Sequence, residues 1–224
     1  MPVTFADLAH DCAPTIAVET LAGIVSLESR FEPFNIRINS GSPLKEQPSS
    51  KAEAIEIATT LAAQHQDIQL GLGGIGLDDL QKLKLTISDA FDPCLNLQAT
   101  ALLLDGYYRL AVRMGDDEAR ADKVMLQSFY GRGDPSVGAI AQYDKQVQHE
   151  IQRLKPTITK LTLGNPATER SKQPAAATPD IVADVVAENA NQLDASGVTA
   201  PSWDVFNAQR QSSIIVFQNK YGAE

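Results

Sequence analysis

The chain has 224 residues, of which 43% are hydrophobic, and a formal net charge of −9. This length suggests one domain with an appendage, and the hydrophobic content is sufficient for a packed core. The negative charge argues against nucleic acid as a main partner, because phosphate binding needs a basic surface. No segment approaches the roughly 18 consecutive apolar residues of a membrane span, and the first residues lack the basic start and apolar stretch of a signal peptide.

The residue types that bind metals are few and scattered. His10, His65 and His149 lie far apart, and Cys12 and Cys94 are too distant from each other for a metal-binding cysteine pair. Two cysteines are also too few for a disulfide scaffold. The sequence therefore predicts no metal site and no cofactor.

The chain opens with two helical patterns, over residues 4–11 and 15–31. The second helix is expected to end before Pro33, because proline disfavours helix in the residue that precedes it. Apolar residues then alternate in residues 34–41, which predicts a short strand that ends in a turn.

The middle of the chain predicts a third helix and a second strand. Ser50 and Glu53 have the spacing of a capping box, so a helix is expected to begin there. Alternating apolar residues in 67–76 predict a short strand that runs into a glycine-rich loop. Residues 77–83 then predict one or two helical turns.

Three longer helices are predicted in residues 95–114, 117–130 and 136–154, where apolar residues recur at helical spacing. Gly115 follows the first of them, as is common at helix ends. The predicted fold class is therefore mainly α, a helical domain with a short two-stranded β element.

The composition changes after Pro156. Residues 165–179 are rich in proline, alanine and polar residues, which is typical of linkers. We predict a folded domain over residues 1–155, followed by a linker and a largely disordered tail over residues 156–224 that is separable from the activity of the folded domain.

A carboxylate interrupts the apolar face of the second helix. Glu28 lies three residues after Val25 and seven after Leu21, so the three share one side of the helix. An unpaired carboxylate is costly to bury, and such a residue usually has a partner or a chemical role. Apolar surroundings favour its protonated form, which a general acid needs near neutral pH.

Other residues suited to ligand binding follow Glu28 along the chain. Glycines cluster in residues 71–76, Asn96 lies near the start of a helix, and Tyr130 lies at a helix end beside glycines. Glycines allow backbone amides to approach a ligand closely, while Asn and Tyr supply hydrogen bonds and a stacking face. This combination suits a groove that takes an extended polymer.

Five short motifs carry a resemblance to a known family. In chain order they are "ESRF" (28–31), "GLGGI" (71–75), "DPCLNL" (92–97), "YGRG" (130–133) and "YDKQV" (143–147). Together they resemble the goose-lysozyme-like (SLT) lytic transglycosylases, specifically the transglycosylase of type IV secretion and conjugation systems. Two of these motifs depart from the family's pattern, since Gly74 replaces a glutamine and Gly131-Arg132 replaces Asn-Ala.

The resemblance implies a lysozyme-like α+β fold and a peptidoglycan-cleaving activity. Glu28 would protonate the glycosidic oxygen between N-acetylmuramic acid and N-acetylglucosamine and then, as a base, promote closure of a 1,6-anhydro ring by the C6 hydroxyl. The substrate's own acetamide would help to stabilise C1. The resemblance assigns substrate binding to Ser29, Gly71, Leu72, Gly74, Asn96, Tyr130 and Tyr143.

The positions of Cys12 and Cys94 also resemble this subfamily and imply a disulfide between them, the alternative being two buried free thiols. A disulfide implies an oxidising compartment, hence the periplasm. The implied partners are peptidoglycan glycan strands and type IV secretion channel subunits, the latter contacted through the tail. Nucleic acid and a transmembrane segment are not expected.

Two interpretations stay open. In the first, the protein is an enzyme that opens the peptidoglycan mesh so that a secretion channel can be assembled, which the intact Glu28-Ser29 pair favours. In the second, it is a catalytically weakened glycan-binding or assembly factor, which Gly74, Gly131 and Arg132 favour. Single residues also have structural alternatives: Glu28 could be a buried acid tied to backbone, Asn96 a helix N-cap, and Tyr130 a core aromatic.

Overall fold

A computed structural model of the chain describes residues 4–164. Its elements in chain order are α1 (Phe5–Cys12), α2 (Val18–Glu28), β1 (Ile36–Ile38), α3 (Lys51–Ala63), β2 (Ile68–Leu70), β3 (Ile75–Gly76), α4 (Leu77–Leu83), α5 (Ile87–Ala90), α6 (Pro93–Arg113), α7 (Glu118–Tyr130), α8 (Pro135–Ile140), α9 (Tyr143–Leu154) and a 3₁₀ turn (Ile158–Lys160). The predicted class, mainly α with a short β element, is confirmed.

The β element is a small antiparallel sheet in the order β1-β2-β3. Strands β1 and β2 pair with Ile36 opposite Leu70, and Leu70 also pairs with Ile75 of β3. The sequence predicted the first two strands. The third is only two residues long and includes Gly76, so it offers no alternating pattern that could have been recognised.

Helix α2 ends three residues earlier than predicted. Its C-cap is Ser29, and both Arg30 (φ 55°) and Phe31 (φ 65°) adopt left-handed backbone conformations that a helix cannot contain. Glu28 is therefore the last helical residue, and its side chain leaves the helix where the chain turns towards β1.

The long helix predicted over residues 136–154 is two helices, α8 and α9. The break lies at Gln142, whose φ of 53° is left-handed and interrupts the helical hydrogen-bond pattern. Tyr143 consequently becomes the first residue of α9, and this places its side chain towards Glu28.

The buried apolar residues form two clusters on either side of α6. Leu97, Ala101 and Leu104 of α6 pack with α1, α2, α7 and α9. Ala99 lies in the second cluster, with residues of the sheet and of α3 to α5. Asp92 is the N-cap of α6, and its Oδ1 accepts hydrogen bonds from two backbone N–H groups of the first turn, each at 3.0 Å.

Residues after α9 pack back onto the start of α1 and onto the turn that follows α2. The Phe5 N–H donates to the Leu161 carbonyl at 2.8 Å, and the Gly164 N–H donates to the Phe31 carbonyl at 3.1 Å. The domain boundary at residue 155 stays a prediction. Because of these contacts, the boundary is best tested with two fragments, one that ends at Lys155 and one that ends at Gly164. The predicted tail beyond Gly164 lies outside the described residues.

None of the helices between residues 4 and 164 has both the length and the apolar character that crossing a membrane requires.

Candidate active site

The site is centred on the carboxylate of Glu28, which is buried although it ends a helix. The Tyr143 hydroxyl donates a hydrogen bond to its Oε1 at 2.7 Å. Nη2 of Arg37 lies 2.7 Å from Oε2. This second contact is a close ion pair and not an aligned hydrogen bond, so within residues 4–164 Oε2 has no hydrogen-bond partner.

Burial has the largest influence on the pKa of Glu28. Removal from water raises the pKa of its carboxyl above the ordinary value, because the charged form is poorly solvated there. The Arg37 charge, the Tyr143 hydrogen bond and the more distant Arg132 charge lower this pKa, but not enough to cancel burial. Burial and the neighbouring Glu28 charge raise the pKa of Tyr143 well above its ordinary range, so its hydroxyl remains a donor.

Arg37 is a site residue that the sequence reasoning missed. It lies opposite Gln69 in the β1–β2 pairing, and its Nε donates to Gln69 Oε1 at 2.7 Å while Nη2 also contacts that oxygen. A signal was present in the sequence, since Arg37 is the cation between Ile36 and Ile38. Alternation in a strand places it on the face opposite to those apolar residues.

Asn96 holds the glycine-rich loop in place. Its Nδ2 donates to the carbonyls of Leu70 (3.1 Å) and Ala90 (2.8 Å), and its Oδ1 accepts from the Gly73 N–H at 2.7 Å. Asp92, not Asn96, is the N-cap of α6. Both amide hydrogens of Asn96 are therefore used within the protein, and its predicted contact with substrate stays a prediction.

Of the other predicted binding residues, Tyr130 is accessible to a ligand, whereas Ser29, Leu72 and Gly71 are buried within the protein. Tyr130 is 37% exposed and its ring lies 4.9 Å from that of Tyr143, so it can present a face to a ligand. Leu72 is fully buried in the helical core, and the Ser29 hydroxyl donates to the Val25 carbonyl at 3.1 Å. Gly71 lies against Asn96 at the far side of the loop.

A small cavity lies beside Glu28, and Gly74 and Tyr130 also line it. Its other lining residues are Gln69, Ile75, Asp79, Leu103, Tyr107, Phe129 and Arg132. Nη1 of Arg132 lies 2.7 Å from Oδ1 of Asp67, 65 residues earlier in the chain. The structure thus brings together Glu28, Gly74, Tyr130 and Tyr143 among the predicted site residues, and adds Arg37, Gln69, Asp79 and Arg132.

Gly74 carries the backbone past the carboxylate of Glu28. Its φ is +64°, and a Cβ added there would lie 2.9 Å from Glu28 Oε2. We expect Gly74→Ala to displace that carboxylate and lower activity. We also expect a loss of stability of about 1–2 kcal/mol, because a side chain is strained in the left-handed region. Urea unfolding and cell-wall lysis measure the two effects.

Gly106→Ala is the matched control, since Gly106 lies within α6 with no neighbouring atom near its added Cβ. Alanine in a helix interior is favoured over glycine by roughly 0.5–1 kcal/mol, so this variant should be slightly stabilised and fully active. Equal behaviour of the two variants would contradict the role given to Gly74.

Cys12 and Cys94 are joined by a disulfide, with their Cα atoms 5.3 Å apart and a separation of 82 positions in sequence. The bridge ties the end of α1 to the first turn of α6. It therefore fixes the start of the helix that carries Asn96, and through Asn96 the glycine-rich loop.

Comparison with known proteins identifies relatives of this chain. It is 39% identical over 129 residues to the type IV secretion system protein virB1 of Brucella abortus biovar 1 (strain 9-941). This alignment covers 57% of this chain and 54% of that protein. It is 30% identical over 184 residues to the protein virB1 of Agrobacterium fabrum, covering 80% and 72%, and 30% identical over 155 residues to that of Rhizobium radiobacter, covering 69% and 63%.

The alignment with the Brucella protein spans only about half of that relative's length. No family model matches the chain, and no solved structure matches it. The longest of the three alignments nevertheless covers most of both sequences, and it confirms the type IV secretion family that the motifs predicted. The chain belongs to the VirB1 family of type IV secretion system proteins.

Proposed function

We propose that this chain is a peptidoglycan lytic transglycosylase that cleaves the β-1,4 bond between N-acetylmuramic acid and N-acetylglucosamine and leaves a 1,6-anhydro product. The observation that carries the proposal is the environment of Glu28. Its carboxyl is buried beside a cavity, burial raises its pKa, and Tyr143 holds one of its oxygens at 2.7 Å. These are the properties of a general acid.

The two oxygens of Glu28 have different roles in this mechanism. Tyr143 engages Oε1 and fixes the plane of the carboxyl, whereas Oε2 lies beside Gly74 and accepts no hydrogen bond within residues 4–164. We therefore assign the transferred proton to Oε2. The glycosidic oxygen takes that proton as its bond to C1 breaks, and the leaving sugar departs as an alcohol.

The second step uses the resulting carboxylate as a base. Glu28 removes the proton of the C6 hydroxyl, and the C6 oxygen bonds to C1 and closes the 1,6-anhydro ring. An intramolecular hydroxyl has a large effective concentration, which makes ring closure the economical step when no base activates water. Glu28 ends the cycle protonated, as it began.

One feature favours a different product. Asp79 is buried and lines the same cavity, so a second carboxylate is present. Lys82 Nζ lies 2.9 Å from its Oδ1 and holds it on α4. Paired carboxylates with a water molecule between them would give hydrolysis rather than ring closure. We propose ring closure, the outcome that the family resemblance implies, and the products released from cell walls decide between the two.

Mass analysis of muropeptides released from purified cell walls tests the proposal. Products that end in 1,6-anhydro-N-acetylmuramic acid, one water lighter than muramidase products, are expected. Products with free reducing ends, absent when Asp79→Asn is used, would show that the reaction is hydrolysis with Asp79 as the base and not ring closure. Binding of glycan without any product would favour the alternative function, a weakened glycan-binding or assembly factor. That alternative has its own support, since Arg37 covers Oε2 of Glu28.

The cellular setting follows from the family and the disulfide. We propose that the protein acts in the periplasm, where disulfides persist. There it would open the peptidoglycan locally for assembly of a type IV secretion channel. The proposed partners are glycan strands and channel subunits, the latter contacted through residues 156–224.

A further inference from the structure

Arg37 forms an ion pair with Oε2 of Glu28, the oxygen that carries the transferred proton in the proposed reaction. Its Nη2 is 2.7 Å from Oε2, and Tyr143 already engages Oε1. In the free protein both oxygens therefore have a neighbour that favours the carboxylate form. A general acid must instead carry a proton on the oxygen that faces the substrate, so the ion pair has to open before the first step.

The geometry allows Arg37 to leave while Glu28 stays. The Arg37 side chain is 37% exposed, whereas that of Glu28 is 3% exposed. Arg37 is steadied by the amide oxygen of Gln69, a neutral partner across the β1–β2 pairing. Because the guanidinium already reaches solvent, it can move outwards without crossing a packed core.

The position of Gly74 explains why an arginine fits there. A Cβ at residue 74 would lie 2.9 Å from Oε2, so any side chain at this position would compete for the space beside that oxygen. The related motif has glutamine where this chain has Gly74. The polar group next to Oε2 thus comes from Arg37 of strand β1 in this protein.

We propose that Arg37 is a positioning residue that pairs with Oε2 of Glu28 in the free protein and withdraws towards solvent when a glycan strand binds beside Glu28. Glu28 then takes up a proton from bulk water and becomes the acid of the first step. This inference rests on the proposed function. To the proposed mechanism it adds Arg37, a residue that restricts the protonated form of Glu28 to the glycan-bound protein.

Any test must distinguish the effect of Arg37 on the pKa of Glu28 from the effects of the other groups that face Glu28. Tyr143 faces it from α9, Arg132 acts from the turn after α7, and Tyr130 acts through Tyr143. Arg132 is itself paired with Asp67. A substitution confined to Arg37 leaves all of these in place, and Arg37→Gln removes the charge while keeping a polar side chain.

The first measurement follows Glu28 directly, without activity. The full chain is labelled with ¹³C at the glutamate carboxyl carbon, the Glu28 resonance is assigned by its absence in Glu28→Gln, and its pH titration is recorded. The midpoint should lie at higher pH in Arg37→Gln than in the wild type, because the Arg37 charge lowers the pKa of Glu28. Arg37→Lys should restore it towards the wild type. An unchanged midpoint would overturn the inference.

Arg109→Gln is the matched control, because Arg109 forms an exposed ion pair with Asp105 on α6 and is not among the charges that act on the pKa of Glu28. Its Glu28 midpoint should equal that of the wild type. Unchanged resonances of the other glutamates show in each variant that the fold is intact.

The second measurement tests the withdrawal. Saturation with an N-acetylglucosamine hexamer should raise the Glu28 midpoint in the wild type and change it much less in Arg37→Gln, because that variant has no guanidinium to displace. Equal rises in the two proteins, or none in either at proven saturation, would show that Arg37 is only a structural partner.

The third measurement separates this inference from the proposed function. If cell-wall lysis occurs, the high-pH limb of kcat/KM should shift upwards in Arg37→Gln by the same amount as the Glu28 midpoint. A midpoint that shifts while the limb does not would overturn the positioning role. If the wild type releases no product at all, the proposed function fails. The titrations of Glu28 in the free and the hexamer-bound protein still decide whether Arg37 pairs with Glu28 and withdraws when a glycan binds.

Discussion

Glu28→Gln should lower the rate of muropeptide release by about 10²–10⁴-fold, the usual contribution of general acid–base catalysis. Glutamine keeps the shape of the side chain but cannot transfer a proton. Glu28 has both catalytic roles in the proposed mechanism, so the variant loses the acid of the first step and the base of the second. Muropeptides released per unit time from purified cell walls, quantified by mass spectrometry, give the measurement.

Glu19→Gln is the control on the same helix. Glu19 lies in the first turn of α2 and is exposed, so its loss should leave the rate unchanged. Lysis by Glu28→Gln at the wild-type rate would show that Glu28 is not the acid. Loss of activity in both variants would point to an effect on α2 itself.

The same residue sets the expected pH dependence. The first step needs the protonated form of Glu28, so wild-type activity should fall as pH rises through the pKa of this group. Burial raises that pKa above its ordinary value, and the fall should therefore lie at higher pH than for an exposed glutamate. A rate that rises steadily with pH would contradict a general-acid role for Glu28.

Replacing both Cys12 and Cys94 by alanine should lower the free energy of unfolding by about 2–5 kcal/mol, the range observed when native disulfides are removed. The bridge joins residues 82 positions apart, and without it the unfolded chain gains the freedom of that long loop. Urea unfolding of the oxidised protein and of the double variant measures the difference.

Wild-type protein treated with a reductant is the internal control, and it should unfold at nearly the same urea concentration as the double variant. The pairing itself can be tested by alkylation without reductant followed by mass spectrometry. Two labelled cysteines in protein isolated from the periplasm would contradict the bridge. We also expect weaker cell-wall lysis in the double variant, because α6 positions the glycine-rich loop through Asn96.

The sequence by itself determined much of this protein. Helical spacing placed Glu28 on an apolar face, alternation located two of the three strands, and five motifs indicated the family that the relatives confirm. These features could be predicted because each depends on residues near one another in the chain, where the helix and strand periods decide which side chains share a face.

Only the tertiary structure decided the partners of the site residues. Tyr143 meets Glu28 from 115 residues away, and Arg37 meets it because β1 pairs with β2 at the end of α2. Packing also places the Asn96 amide within hydrogen-bond reach of the loop backbone, a contact that the sequence did not indicate. A motif specifies which side chains are present. Which group each one contacts, and whether water reaches it, depends on how the two core clusters pack on α6, because burial and distance set both pKa and hydrogen bonding.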